Sequence, residues 1–163
     1  MNLNDHSPLK AESVWDYPRP PSVELTTLHL LVYFDGIKLA ETRQAYRVLE
    51  TSHPPVYYFP PEDVLMEFLI PSSRRSYCEW KGQASYYTIK TPGKVASNAA
   101  WYYPNPTPPY AAIMNHIAFY PQWMDQCFVE GELVKPQPGN FYGGWITSNL
   151  IGPFKGEAGS ELW

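Results

Sequence analysis

The chain has 163 residues, a net charge of −4 and scattered basic side chains, with 16% aromatic residues and 18 prolines. That length implies one domain, which buries roughly 70% of its unfolded surface, and the prolines exclude long helices over much of it, because each lacks an amide donor and fixes its own φ. The nearest thing to a basic cluster is Arg74-Arg75, too little for a phosphate backbone, so no nucleic-acid partner is expected.

Residues 1–13 read as a disordered polar tail without a signal-peptide pattern. No apolar run approaches the ~20 residues of a membrane span, so a cytoplasmic location away from any membrane is expected. Cys78 and Cys127 are the only cysteines. With no CxxC between them, both are expected as thiols, although their spacing alone leaves a disulfide open.

Residues 14–135 read as a β domain. Val14 to Pro21 is expected to be extended, since residues before proline avoid the helical region. Leu28 to Phe34 and Ile37 to Thr42 form a hairpin about Asp35-Gly36, a pair suited to a tight turn with positive φ. Tyr46 to Thr51 is a further strand, and Ser52 to Pro61 is irregular and aromatic. Pro61-Glu62-Asp63-Val64 opens a short helix, with proline and acids in its first turn. Leu65 to Ile70 fits helix or strand equally.

Ser76–Trp80, Ala84–Lys90 and Lys94–Tyr103 read as an antiparallel meander stopped by Pro104 to Pro109. A helical turn over Tyr110–Asn115 follows, then a strand over Ile117–Tyr120. A second hairpin turns at Glu130-Gly131. Residues 136–163 form a glycine- and aromatic-rich extension without periodicity, expected to pack on the same domain. Seven to nine short strands with one or two helical turns predict an all-β, mainly antiparallel two-sheet sandwich or open barrel.

Several motifs carry a resemblance: Glu50-Thr51-Ser52-His53-Pro54-Pro55-Val56-Tyr57-Tyr58-Phe59-Pro60-Pro61-Glu62-Asp63-Val64, Cys78-Glu79-Trp80-Lys81-Gly82-Gln83-Ala84, Asn98-Ala99-Ala100-Trp101 and His116-Ile117-Ala118-Phe119-Tyr120-Pro121. Together, over about residues 28–134, they resemble the DUF427 family. Phe141-Tyr142-Gly143-Gly144-Trp145 and Gly152-Pro153-Phe154-Lys155-Gly156 resemble its longer members. The resemblance implies a small antiparallel β domain of β-tent-like architecture, with no assigned function. Tent domains of other families pin one sheet edge with zinc through two CxxC pairs, which this chain lacks. The family has also carried a nucleotidyltransferase label. No glycine-serine turn followed by paired aspartates occurs here to support it.

The mixed chemistry of Cys78-Glu79-Trp80-Lys81 and Asn98 to Trp101 points to a site. Trp80, Trp101, Tyr58, Tyr103, Tyr120 and Phe119 can wall a hollow for a planar small molecule, although most aromatic rings simply fill cores. Lys81 can hold a ligand carboxylate or phosphate, and Asn98 can bond a ligand edge or just complete a bulge. Strand alternation puts Cys78 and Trp80 on one face and Glu79 and Lys81 on the other, unless a bend at Lys81-Gly82 re-aims the lysine.

Candidate catalytic groups are Cys78 as a nucleophile, Lys81, and Glu62 beside Asp63 as acid or base. His53, before two prolines, is expected to bond the backbone at the edge of the site. His53 and His116 lack metal-ligand spacing. Neither GxxxxGK[ST] nor GxGxxG occurs, so neither metal nor cofactor is expected. Small-molecule binding leads, with an enzyme or a protein-interaction module as alternatives. The rings of the extension are expected to cover the pocket mouth or meet a second copy of the chain.

Overall fold

The computed structural model describes residues 9–163. Among the described residues the strands are β1 (Glu12–Ser13), β2 (Ser22–Leu25), β3 (Leu30–Phe34), β4 (Ile37–Thr42), β5 (Tyr46–Leu49), β6 (Val56–Tyr58), β7 (Leu69–Cys78), β8 (Gly82–Thr91), β9 (Lys94–Tyr102), β10 (Ala118–Phe119), β11 (Gln126–Val129), β12 (Glu132–Leu133), β13 (Lys135–Pro136), β14 (Trp145–Ile146) and β15 (Leu150–Ile151). They form an all-β, mainly antiparallel fold with no closed barrel. Its sheets run β12-β11-β3-β4, β10-β9-β8-β7 and β2-β5-β6, with two-stranded ribbons β13-β14 and the parallel β1-β15. Among the described residues no helix is long and apolar enough to cross a membrane.

Turn chemistry explains the hairpins. Asp35 and Gly36 have φ of 53° and 69°, and Glu130 and Gly131 have 48° and 79°, the doubly positive pattern that fits the twist of paired strands. Proline sets the helical turns: the 3₁₀ turns at Pro61–Asp63, Pro108–Ile113 and Pro121–Trp123 all begin on it.

Several expectations are corrected. Val14–Asp16 is a 3₁₀ turn, because the Ser13 side chain accepts from the Trp15 amide and caps it. Of the expected tail, residues 1–8 lie outside the described residues, while Glu12–Ser13 pair with Leu150–Ile151. β6 arises inside the segment read as irregular, and the extension supplies the two-residue strands β14 and β15 and half of β13, too short for any period to register. Both cysteines are free thiols.

In the sheet β10-β9-β8-β7 the edge strand β7 is mostly exposed, while β8, the end of β9 and β10 are covered on both faces, and strand alternation sorts their side chains between two clusters. Ile89, Ala100 and Phe119 pack with Leu30, Val32, Phe34 and Cys127 in the main core. Ala84, Tyr86, Trp101, Tyr103, Ala118 and Tyr120 face the other way, onto Val48 and Tyr58 from the sheet β2-β5-β6. Two bulges lie in this sheet, at Pro71–Arg75 in β7 and opposite Tyr87–Ile89 in β9. The Ser72 hydroxyl bonds the Asn98 side-chain oxygen between them.

Arg47 fastens the N-terminal segment to β5. Its guanidinium donates two 3.1 Å bonds to the Glu12 carboxylate and pairs with Glu24, and Tyr17 donates to Glu12 at 2.5 Å. Burial raises the pKa of Glu12, but the bonds from Arg47 and Tyr17 and the charge of Arg47 outweigh it and hold the carboxyl below its ordinary 4.5. A depressed carboxyl contributes stability that is complete above pH 4.5 and is lost as pH falls through the folded-state value. Glu12→Gln is therefore expected to lose about 1–2 kcal/mol at pH 7, a fall of roughly 2–8 °C in melting temperature, and to differ little from wild type at pH 3. Thermal melts at both pH values check this, and an equal deficit at pH 3 would rule out the linkage.

Candidate ligand site

β7 ends at Cys78, and Glu79–Lys81 turn into β8 at Gly82, whose φ is +103°. Thr107, from the proline-rich segment, ties that turn down. Its hydroxyl donates to the Trp80 carbonyl at 2.6 Å and its amide to the Lys81 carbonyl at 3.0 Å. The strand alternation read from the sequence therefore fails here. Cys78, Glu79, Trp80 and Lys81 all line one cavity of about 520 Å³.

Lys81 is 8% exposed, and its Nζ lies 5.8 Å from the centre of the Tyr103 ring. Among the described residues it has no carboxylate and no hydrogen-bond acceptor. Aromatic walls surround it. The Trp101 and Tyr120 ring centres are 4.5 Å apart, Tyr58 and Tyr103 are 6.3 Å apart, and the Trp101 indole donates to the Tyr58 hydroxyl at 3.3 Å. Tyr86 closes the side with its hydroxyl 2.8 Å from Ser76 Oγ, beneath the Arg74 guanidinium. Burial, reinforced by neighbouring phenols, pushes the Tyr58, Tyr103 and Tyr120 hydroxyls well above their usual 10. At neutral pH these groups keep their protons and can donate.

His53 stands at the edge with Nδ1 2.9 Å from the Thr51 carbonyl and its ring edge-on to Tyr142 at 5.5 Å. Burial lowers its pKa below 6.5, a shift partly opposed by the carboxylate of Glu50. Glu50, Val56 and Tyr77 complete the lining from the β domain. Gln137, Phe141, Tyr142 and Gly143 complete it from the extension, which was expected to cover either this mouth or a second copy. Gln122 donates to the Tyr142 carbonyl at 3.0 Å, and Gln137 bridges the Gly144 amide and the Lys155 carbonyl.

The cavity thus gathers Trp80, Lys81, Trp101, Tyr58, Tyr103, Tyr120, His53 and Cys78. Asn98, Glu62, Phe119 and His116 are not among its lining residues. Asn98 has φ +53° and its side chain is engaged with Ser72 in the sheet bulge. Glu62 is exposed on its 3₁₀ turn, where the neighbouring Asp63 accepts from Thr42 at 2.7 Å. Phe119 alternates into the main core, and His116 bonds the Met114 carbonyl and packs on Tyr46. Cys127 is 2% exposed and burial pushes its thiol pKa up, which marks it as core. Tyr86 and Ser76 were missed by the sequence reading; their parity with Ala84 along neighbouring strands was the available signal. No three His, Cys, Asp or Glu side chains group as metal ligands among the described residues.

Residues 22–130 match the family described as Domain of unknown function (DUF427). The chain belongs to that family. No curated protein matches it. The DUF427 match ends before Gln137, so the part of the lining made by the extension lies outside the matched region.

Gly143 seats that part. A Cβ there would lie 2.3 Å from Trp101 Cη2 and 2.7 Å from Cζ3, closer than any real contact. Gly143→Ala is therefore expected to push the extension off Trp101 or tilt the indole. Either movement should red-shift the tryptophan emission and lower the melting temperature by several degrees, matching the roughly 1–3 kcal/mol of overpacking. Unchanged emission and melting would show that the extension does not rest on Trp101 in solution.

Proposed function

We propose that this DUF427 protein binds a small, planar, anionic molecule in the aromatic cavity, with Lys81 holding the negative group. The observation that carries the reading is Lys81, a residue 8% exposed whose ammonium has no counter-ion among the described residues, at a cavity of about 520 Å³. Cavities of roughly 300–1,000 Å³ with apolar walls and a few convergent polar groups are the usual form of small-molecule sites. A buried cation without a partner favours a ligand that brings the missing charge. Trp80 and Trp101 supply flat walls, and the protonated phenols supply further donors.

An interaction module would call for an open apolar patch and no hollow, so the cavity favours the first reading. Two unpaired thiols support a cytoplasmic setting, and the net charge of −4 argues against a nucleic-acid partner.

Indole-3-acetate and its neutral amide test the reading by calorimetry. The acid is expected to bind at least tenfold more tightly than the amide, and Lys81→Met should erase most of that difference. Trp80→Ala, at a partly buried position, should weaken binding by about 1–3 kcal/mol with the melting temperature nearly unchanged. Trp101 is a poor probe because it also packs in the second cluster. Equal affinity for acid and amide, or a Lys81→Met variant that binds the acid like wild type, would refute the proposal.

A further inference from the structure

His53 has one ring nitrogen committed and one free. Nδ1 faces the Thr51 carbonyl oxygen at 2.9 Å, a group that only accepts, so Nδ1 carries the proton. Nε2 has no hydrogen-bond partner among the described residues, and in the neutral ring it presents a lone pair. The surroundings hold the ring in place. Glu50 is 3.8 Å from Nδ1 and 3.7 Å from Arg19, and Tyr142 packs edge-on. Glu50 favours the charged ring, whereas burial, Arg19 and Lys155 favour the neutral one, and the balance leaves His53 more easily deprotonated than a free imidazole.

Besides the exposed Glu79 carboxylate, which lines the cavity without a partner among the described residues, the unused polar groups include three donors. Lys81 Nζ bonds nothing among the described residues. The Tyr58 hydroxyl accepts from the Trp101 indole but has no acceptor for its own proton, and the Tyr103 hydroxyl has no partner. A fixed base and a cluster of donors in one desolvated hollow are the two components that enolisation needs: one removes a proton from carbon, the other stabilises the oxygen that becomes negative.

We propose that the cavity is a proton-transfer centre that interconverts the keto and enol forms of an aromatic 2-oxo acid, with His53 as the base and Lys81, Tyr58 and Tyr103 as the groups that hold the oxygens. This rests on the anion-binding reading above and names its ligand class. The aromatic ring meets the indole walls, and the adjacent carboxylate and keto oxygens, both acceptors, meet the donors. In the step, His53 Nε2 takes a proton from the carbon beside the keto group. The C–H electron pair becomes the new carbon–carbon double bond, and the carbonyl π pair moves to oxygen, held by the donors. The imidazolium then returns its proton to that oxygen, giving the enol. Atoms and electrons balance with no oxidant or co-reactant.

Phenylpyruvate in heavy water tests this, with loss of its C3 proton signal followed by NMR and its binding, with that of indole-3-acetate, measured by calorimetry. The protein is expected to accelerate exchange at least tenfold over buffer at pH 7, with the rate falling on acidification at a lower pH than a free imidazole would give. His53→Gln should exchange at the buffer rate while binding phenylpyruvate within threefold of wild type. Lys81→Met should lose both binding and exchange. Bound phenylpyruvate exchanging at the buffer rate, or full exchange by His53→Gln, would overturn the proposal and leave ligand binding intact. Binding of indole-3-acetate with none of phenylpyruvate would overturn it likewise. Binding of neither would remove the anion site on which it rests.

Discussion

A lysine packed mostly out of solvent without a counter-ion gives up part of its hydration at a cost. The nearby Tyr103 ring returns only about 0.5–2 kcal/mol of that through its quadrupole. The position of Lys81 is therefore not something the lysine would choose; the rest of the fold imposes it. The carbonyls of Trp80 and Lys81 are tied to Thr107, whose segment is stiffened by Pro104, Pro106, Pro108 and Pro109. Gly82, at φ +103°, permits the sharp return into β8 that this requires. Stability invested in the proline-rich segment holds a charge where a ligand can use it.

The same tension shapes the walls. A sheet covered on both faces at β8, β10 and the end of β9 must place aromatic residues on each, and β9 does so by alternation, with Ala100 and Tyr102 toward the main core and Trp101 and Tyr103 toward the cavity. Trp101 is thus a wall and a packing element at once. It touches Tyr58, Tyr120 and the backbone at Gly143, so the shape of the hollow is coupled to the stability of the second cluster. The hydroxyls at these rings are largely desolvated and stay protonated, which makes this wall of the hollow rich in donors.

Much of this was legible in the chain. The Asp35-Gly36 and Glu130-Gly131 hairpins announce themselves because few residue pairs accept two positive φ values in succession. The aromatic lining could be named because its rings fall at every second position of neighbouring strands. Other features have no local signal. Alternation could separate Phe119 from Tyr120 but not say which faced the hollow, since both faces of the sheet are covered there. Asn98 was read as a ligand group because a carboxamide beside small residues serves a bulge and a binding edge equally well, and only the partner, Ser72, decides between them. Strand alternation alone leaves the side of Lys81 open to a bend at Lys81-Gly82, and the contact that fixes the bend comes from Thr107, a residue distant in sequence. Short ribbons such as β13-β14 and β1-β15 are beyond any periodicity argument, since two residues define no period.

The division of the cavity between the family domain and the extension follows from these constraints. The cation, the imidazole and most of the rings come from residues 22–130, with Lys81 on the β7–β8 turn and His53 on the β5–β6 loop. Phe141 to Gly143 approach from outside that range on a segment held by side-chain-to-backbone bonds: Gln122 to the Tyr142 carbonyl, Gln137 to the Gly144 amide and the Lys155 carbonyl, and Lys155 Nζ to the Ser160 carbonyl. The side chains of Gln122, Gln137 and Lys155 thus fix the path of the chain past the mouth. The base of the hollow and its mouth are thus built by separate parts of the chain. Gly143 is the point where they meet, since the absence of a side chain there lets the backbone lie directly on the Trp101 ring.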